Sequence, residues 1–191
     1  MGFDPGGDLC LGFFGTFWND GRCPTLRPGA SVLEIGCAEA DWLQAMRATR
    51  PDLHLTGIDW RPHPRPAASV QICGDVLAQS FPAEEFDAIV AVSMLEWAGI
   101  GQYRDPIYPD GDSRVMQRAH EWIRPEGWLY FDVPYATVPP PRKRNQRMRV
   151  YTEADLQTRL LQGLWREVDR EHFTGNGHPD GPYVALVVRP N

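Results

Sequence analysis

No stretch of the chain stays apolar long enough to cross a membrane, so a membrane-spanning segment is not expected. No charged-then-apolar stretch opens it, so a secretory signal is not expected either. Gly2 follows Met1, but Gly6 stands where the myristoylation pattern needs Ser or Thr. There is no C-x-x-C pair: Cys10, Cys23, Cys37 and Cys73 stand apart, and Cys37 and Cys73 fall in apolar, strand-like surroundings. Buried free thiols in a reducing cytoplasm fit that pattern better than a zinc site. Excess positive charge is missing as well. The net charge is −6, so the surface as a whole is not a nucleic-acid footprint. No internal repeat is present.

What remains is a globular composition, 42% hydrophobic and 23% charged over 191 residues, enough for one domain with a sizeable core. The 18 prolines cluster in Pro62–Pro66, Pro106–Pro109 and Pro139–Pro141 and mark those stretches as loops. Residues 1–30 form an N-terminal lid or cap segment, rich in Gly and in aromatics (Phe3, Phe13, Phe14, Phe17, Trp18). It is read either as an irregular lid or as a short helix around Leu9–Trp18, and its aromatics either as a lid that dries the site or as a cover for the sheet edge. Residues 31–191 read as a single domain.

From Ser31 the pattern is regular. "SVLEIG", "LHLTGID", "ASVQIC", "FDAIVAVSM" and "GWLYFDVP" read as strands, the fourth as a central buried one. "EADWLQAMRATR" places Trp42, Leu43 and Met46 on one helical face. "DSRVMQRAHEWIR" reads as a helix with Asp112 and Ser113 as caps, ending before Pro125. "TEADLQTRLLQG" reads as another, capped by Thr152, with Asp155 at the third position and Gly163 as the stop. "LWREVDREHF" and "YVALVVRP" close the chain as an antiparallel pair. Alternating strands and helices predict an α/β fold: a doubly wound, seven-stranded, mostly parallel sheet with an antiparallel C-terminal hairpin.

Ligands of such sheets sit beyond the carboxyl ends of the strands. Gly36 stands at one such end. A dinucleotide loop needs G-x-G-x-x-G, but the three positions here read Gly36, Ala38 and Asp41. Glu39 and Asp41 would repel a pyrophosphate at that helix N-terminus. A cofactor without phosphates removes the conflict. S-adenosylmethionine carries a sulfonium and an ammonium that tolerate carboxylates. Its ribose needs an acceptor, and Asp59 lies 25 residues after Glu34, near the spacing of about 20 that puts an acid on ribose in related sheets.

Residues 31–133 resemble the core of class I S-adenosylmethionine-dependent methyltransferases. Glu34-x-Gly36-x-Ala38-x-Ala40 is similar to the first motif of that family, with two glycines replaced by alanine. Asp59 matches the acid that holds ribose, and Asp75, beside Val76, the acid that bonds the adenine amino group. "FDAIVAVSMLEW" and "IRPEGWLYFDVP" match the fourth-strand segment and the segment leading into the fifth. The resemblance implies a Rossmann-like methyltransferase fold, S-adenosylmethionine as cofactor, and a cofactor site of Glu34, Gly36, Cys37, Ala38, Asp59, Trp60, Asp75, Val76, Ser93 and Met94. Relatives often carry Glu-His after the fourth strand. Here Glu96 is followed by Trp97, so a histidine base cannot be carried over.

Methyl transfer is an in-line displacement, so alignment and water exclusion are the protein's main task. Glu96 and Tyr135 are the catalytic candidates. Tyr103 and Asp105 are substrate candidates, although Asp105, Asp110 and Asp112 also suit turns and caps. No metal site is expected, because Ser93 or Met94 stands where metal-dependent relatives place an aspartate. His120 reads as structural; His172 and His178 flank the closing hairpin. In "PPPRKRNQRMR", Arg142, Lys143, Arg144, Arg147 and Arg149 gather without an acid. This loop follows the fifth strand. If it works on substrate, Arg142 and Arg144 favour an anionic acceptor; otherwise it is a solvated charge run. The leading reading is a cytoplasmic methyltransferase for a small-molecule or saccharide-like acceptor. An RNA methyltransferase and a non-catalytic binding module that keeps the fold are the alternatives. An NAD oxidoreductase is disfavoured by Glu39 and Asp41.

Overall fold

The computed structural model describes residues 9–38, 42–62, 68–139, 148–173 and 182–191; for residues 9–13 only the backbone is described. Its elements are α1 (Leu9–Asn19), β1 (Ser31–Ile35), α2 (Trp42–Thr49), β2 (His54–Asp59), β3 (Val70–Cys73), a 3-10 turn (Val76–Ala78), β4 (Phe86–Ala91), α3 (Gly111–Trp122), β5 (Ile123–Pro134), α4 (Glu153–Asp155) running into a π-helical segment (Leu156–Leu161), β6 (Trp165–Phe173) and β7 (Tyr183–Pro190). No described helix is long and apolar enough to cross a membrane.

The strands form one seven-stranded sheet in the order β3-β2-β1-β4-β5-β7-β6. β1 pairs in parallel with β2 and β4, β2 with β3, and β4 with β5; β7 runs antiparallel to both β5 and β6. The expected α/β sheet with an antiparallel closing hairpin is what forms. β1 has its chain successor β2 on one side and β4 on the other, and the crevice between the carboxyl ends of β1 and β4 is the switch point where ligands of such sheets bind.

Burial on both faces explains the near-continuous apolar strands. Period-two alternation sorts their side chains. Val32, Val90, Trp128, Tyr130 and Val187 pack under α1 and α2, against Phe14, Phe17, Trp42, Leu43 and Met46. Leu33, Ile35, Ile89, Phe131 and Leu186 pack under α3 and the π-helical segment, against Val115, Met116, Trp122, Leu156 and Leu160. Phe14 meets Trp42 and Tyr130 with ring centroids 5.2 and 4.7 Å apart. The described aromatics Phe14 and Phe17 are therefore core residues of a sheet face.

Two element ends differ from expectation. α3 begins at Gly111, with Asp110 at the cap position making no side-chain cap bond. Asp112 is no cap: it lies in the first turn, fully buried, because Arg159 reaches it from 47 residues away. β5 begins at Ile123, earlier than the glycine at 127, because Ile123 already pairs with Phe86 before a register shift that next pairs Ala88 with Trp128. Arg124 and Pro125 fall in that irregularity, where a strand tolerates proline. The last helix starts as predicted: Thr152 and Asp155 form a reciprocal capping box. It ends on Gln162 and Gly163, both with positive φ.

Candidate active site

Beyond the carboxyl ends of β1, β2 and β4 lies a cavity of about 290 Å³. The turn after β1 forms its base. Gly36 has φ +86°, a conformation that favours glycine, and a Cβ there would lie 2.7 Å from the Met94 Cβ. The Gly36 and Cys37 amides donate to the Ile58 carbonyl at 2.8 and 3.3 Å, which fastens this turn to β2.

Asp59 ends β2 and is 9% exposed. One carboxylate oxygen accepts the Ala38 N–H at 3.0 Å; the other accepts the Arg61 N–H at 2.7 Å and the Arg61 guanidinium at 3.4 Å. Asp75, after β3, accepts the Leu77 N–H at 2.8 Å and caps the 3-10 turn. Trp60, Arg61, Val76 and Leu77 line the same wall.

Ser93 and Met94 follow β4 and line the opposite wall. Ser93 sits at φ +44°. Its N–H and hydroxyl both donate to one oxygen of Asp132, at 3.0 and 2.6 Å. Asp132 is fully buried on β5. Burial pushes its carboxyl up to about 6, against the lowering effect of Ser93 and Tyr130.

The loop after β4 supplies Glu96, Trp97, Ala98, Gly99, Tyr103 and Tyr108. Asp105 holds this loop: its carboxylate accepts the N–H groups of Gly99, Tyr103 and Gly101 at 3.1, 3.1 and 3.3 Å. The Arg61 guanidinium lies over the Tyr103 ring, 4.1 Å from its centroid, and Tyr103 meets Trp97 edge-on at 5.9 Å. Arg149 braces the loop from outside, donating to the carbonyls of Ala98 at 2.6 Å and Tyr108 at 3.2 Å.

The fold thus gathers Gly36, Asp59, Trp60, Asp75, Val76, Ser93, Met94, Glu96, Tyr103 and Asp105 around one cavity. Cys37 and Ala38 sit behind the lining; Ala38 touches the site through Asp59, and Gln71 donates to the Cys37 sulfur at 2.9 Å. Glu34 is fully buried in β1. Burial raises its carboxyl well above the usual range, the Trp42 side chain opposes this, and Asp59 adds to it. Tyr135 is not among the lining residues; its ring packs edge-on against His172 with centroids 4.8 Å apart. Glu39, Ala40, Asp41, Arg142, Lys143, Arg144, Arg147 and His178 lie outside the described residues. Reading the sequence passed over Arg61, Tyr183 and Asp132. The one signal for Asp132 was an acid inside the apolar run of β5.

The residue set suits an adenosyl sulfonium ligand: a glycine cradle that a Cβ would fill, two carboxylates at the adjoining strand ends, and an acid buried behind the third wall. The chain belongs to the methyltransferase-domain family, whose model matches residues 19–174. It is an S-adenosylmethionine-dependent methyltransferase, with S-adenosylmethionine as its cofactor. No curated protein matches the sequence. Among solved structures, the fold is similar to the 1,6-didemethyltoxoflavin-N1-methyltransferase of Burkholderia thailandensis with bound 1,6-didemethyltoxoflavin and S-adenosylhomocysteine (19% identity, 96% of this chain and 88% of that one, TM-score 0.65). It is similar to the N-methyltransferase NodS of Bradyrhizobium japonicum WM9 (20% identity, 84% and 85% covered, TM-score 0.59). It is also similar to the [4+2]-cyclase SpnF (16% identity, 98% and 85% covered, TM-score 0.69). At these identities the neighbours define the fold and leave the acceptor open.

Proposed function

We propose that this enzyme methylates a small-molecule acceptor seated between the strand ends and the loop that follows β4. The observation that carries the reading is the shape and lining of the cavity. Beside the residues suited to the cofactor, its walls include Trp60, Trp97, Tyr103, Tyr108 and Tyr183. Planar rings with a few polar groups between them suit a compact acceptor that must be held in line.

S-adenosylmethionine, when bound, supplies a methyl carbon made electrophilic by its sulfonium. The chain's own residues have four tasks. Asp59 and Asp75 are acceptors suited to ribose hydroxyls and an adenine amino group. Gly36 lets the backbone approach. Trp97, Tyr103 and Tyr108 exclude water. Glu96, fully buried and lining the cavity, is the candidate to hold a proton from the acceptor. Asp105 shapes the loop, since three backbone N–H groups already converge on its carboxylate. Tyr135 stands apart from the cavity lining, with its ring against His172.

Arg149 weighs against RNA as acceptor. It belongs to the basic run but turns its guanidinium inward, onto backbone carbonyls of the loop. The net charge of −6 also disfavours a phosphate backbone as partner. Arg142 and Arg144 would add preference for an anionic group on a small acceptor. A reducing, cytoplasmic setting suits the free thiols of Cys23, Cys37 and Cys73.

The test is methyl transfer from labelled cofactor into fractionated small metabolites and, separately, into total RNA. Label in a small-molecule fraction supports the proposal. Label in RNA alone, or in neither, contradicts it.

A further inference from the structure

Ser93 lines the cavity with a hydroxyl whose polarity is already decided. A serine has one O–H proton and two acceptor sites. Here the proton points to Asp132 across 2.6 Å, the short separation of a charge-assisted bond. Only lone pairs are left for the cavity. The Ser93 N–H also goes to Asp132, at 3.0 Å, and the two bonds hold a non-glycine residue at φ +44°. That arrangement costs energy and persists because both bonds fix it. Tyr130, two residues back on the same strand, also bears on this buried carboxyl and favours its charged form. The field of an ionised Asp132 reaches the cavity through the Ser93 hydroxyl.

We propose that Asp132 is a positioning residue that fixes Ser93 as a hydrogen-bond acceptor and makes this wall of the site prefer a cationic ligand over a neutral one of the same shape. The inference rests on the cofactor reading above. For an adenosyl cofactor it means that the sulfonium donor is favoured over its thioether product, so the wall that helps to hold the donor holds the spent product less well.

Other charged groups on the cavity are Asp59 and Arg61 from the β2 end, Asp75 from the turn after β3, and Glu96 and Asp105 from the loop after β4. Tyr130 stands on the same strand as Asp132. From β7, Ala185 pairs with Asp132, and the neighbouring Tyr183 lines the cavity. Asp132 has its carboxyl raised to about 6 by burial, so its charge comes and goes within an accessible range of pH.

The experiment is calorimetric titration of the full chain with S-adenosylmethionine and S-adenosylhomocysteine between pH 5 and pH 8. Both ligands carry the same amino and carboxyl groups, so the ratio of their dissociation constants isolates the sulfonium. The preference for S-adenosylmethionine is expected to fall on the order of tenfold from pH 8 to pH 5, as a one-unit linkage would give. It is expected to be flat with pH in Asp132→Asn. In Ser93→Ala it should be weaker but still pH-dependent, which decides the matter if Asp132→Asn does not fold. A constant ratio in the wild type, or the same pH dependence in Asp132→Asn, overturns the proposal while leaving the cofactor site intact. Failure of both ligands to bind sinks the cofactor reading and this inference with it.

Discussion

Gly36 leaves no room for a side chain against Met94 across the switch point of the sheet: a Cβ on Gly36 would come within 2.7 Å of the Met94 Cβ. The turn after β1 and the turn after β4 are thereby packed into one wall, and the site needs both. Gly36→Ala would force a side chain into a left-handed backbone and into Met94 at once. The backbone component alone costs about 1–2 kcal/mol. We expect a fall of at least that size in urea-unfolding free energy, with weaker S-adenosylhomocysteine binding in calorimetry.

Asp112, in the first turn of α3, ties that turn to the end of the chain's last helix. It accepts from Tyr151 at 3.0 Å and from Arg159 at 2.9 and 2.6 Å, and Arg149 approaches to 3.7 Å. Removing one partner of a buried ion pair costs about 3–5 kcal/mol. The Arg159 side chain is 33% exposed, so solvent recovers part of that. Asp112→Asn should therefore destabilise by about 2–3 kcal/mol in denaturant unfolding. Ordinary stability in that variant would contradict the network.

Asp132 also makes a prediction about stability. Burial lifts its carboxyl from 3.8 to about 6, so the folded state binds the proton more tightly than the unfolded chain. Its contribution is favourable below about pH 4 and is lost as pH rises through about 6. Two units correspond to about 3 kcal/mol. Asp132→Asn removes that penalty, so the variant should be more stable than the wild type at pH 8, with the gap closing toward pH 4. Parallel stability curves for the two proteins would contradict the assignment.

Cysteine reactivity should be uneven. Burial pushes the Cys23 and Cys37 thiols up to about 12, whereas Cys73 is exposed at the end of β3. Thiolate is the reactive form, so a thiol reagent at neutral pH should label Cys73 ahead of Cys23 and Cys37. Peptide mapping should find Cys23 and Cys37 modified only on unfolding. Prompt labelling of Cys37 would show that the turn after β1 opens more readily than its packing implies.

Much of this was legible in the sequence, for local reasons. The inner strands β1, β2, β4, β5 and β7 declare themselves because each is largely apolar and buried, whereas the edge strands β3 and β6 are partly exposed. Gly36, Asp59 and Asp75 declare themselves because each ends or follows a strand and must meet the same crevice. What escaped depends on pairings distant in sequence. Tyr183 reaches the cavity only because β7 inserts beside β5. Asp112 looked like a helix cap because its true partner, Arg159, lies on another helix. Tyr135 reads as a catalytic candidate because it follows β5, yet the β6 strand brings His172 against it. Glu39 and Asp41, which argue against a pyrophosphate, lie outside the described residues, so the structural case rests on Gly36, Asp59 and the Ser93–Asp132 pair.

The most direct test of the cofactor site is calorimetric titration of S-adenosylhomocysteine into the wild type and into Asp59→Ala. Asp59 ties the Ala38 and Arg61 backbones together and faces the cavity. The account predicts saturable binding to the wild type and a loss of at least about tenfold in affinity for a folded Asp59→Ala, as expected when a charged acceptor is removed. An unchanged dissociation constant in that variant, or wild-type protein that binds NADH and not S-adenosylhomocysteine, would contradict it.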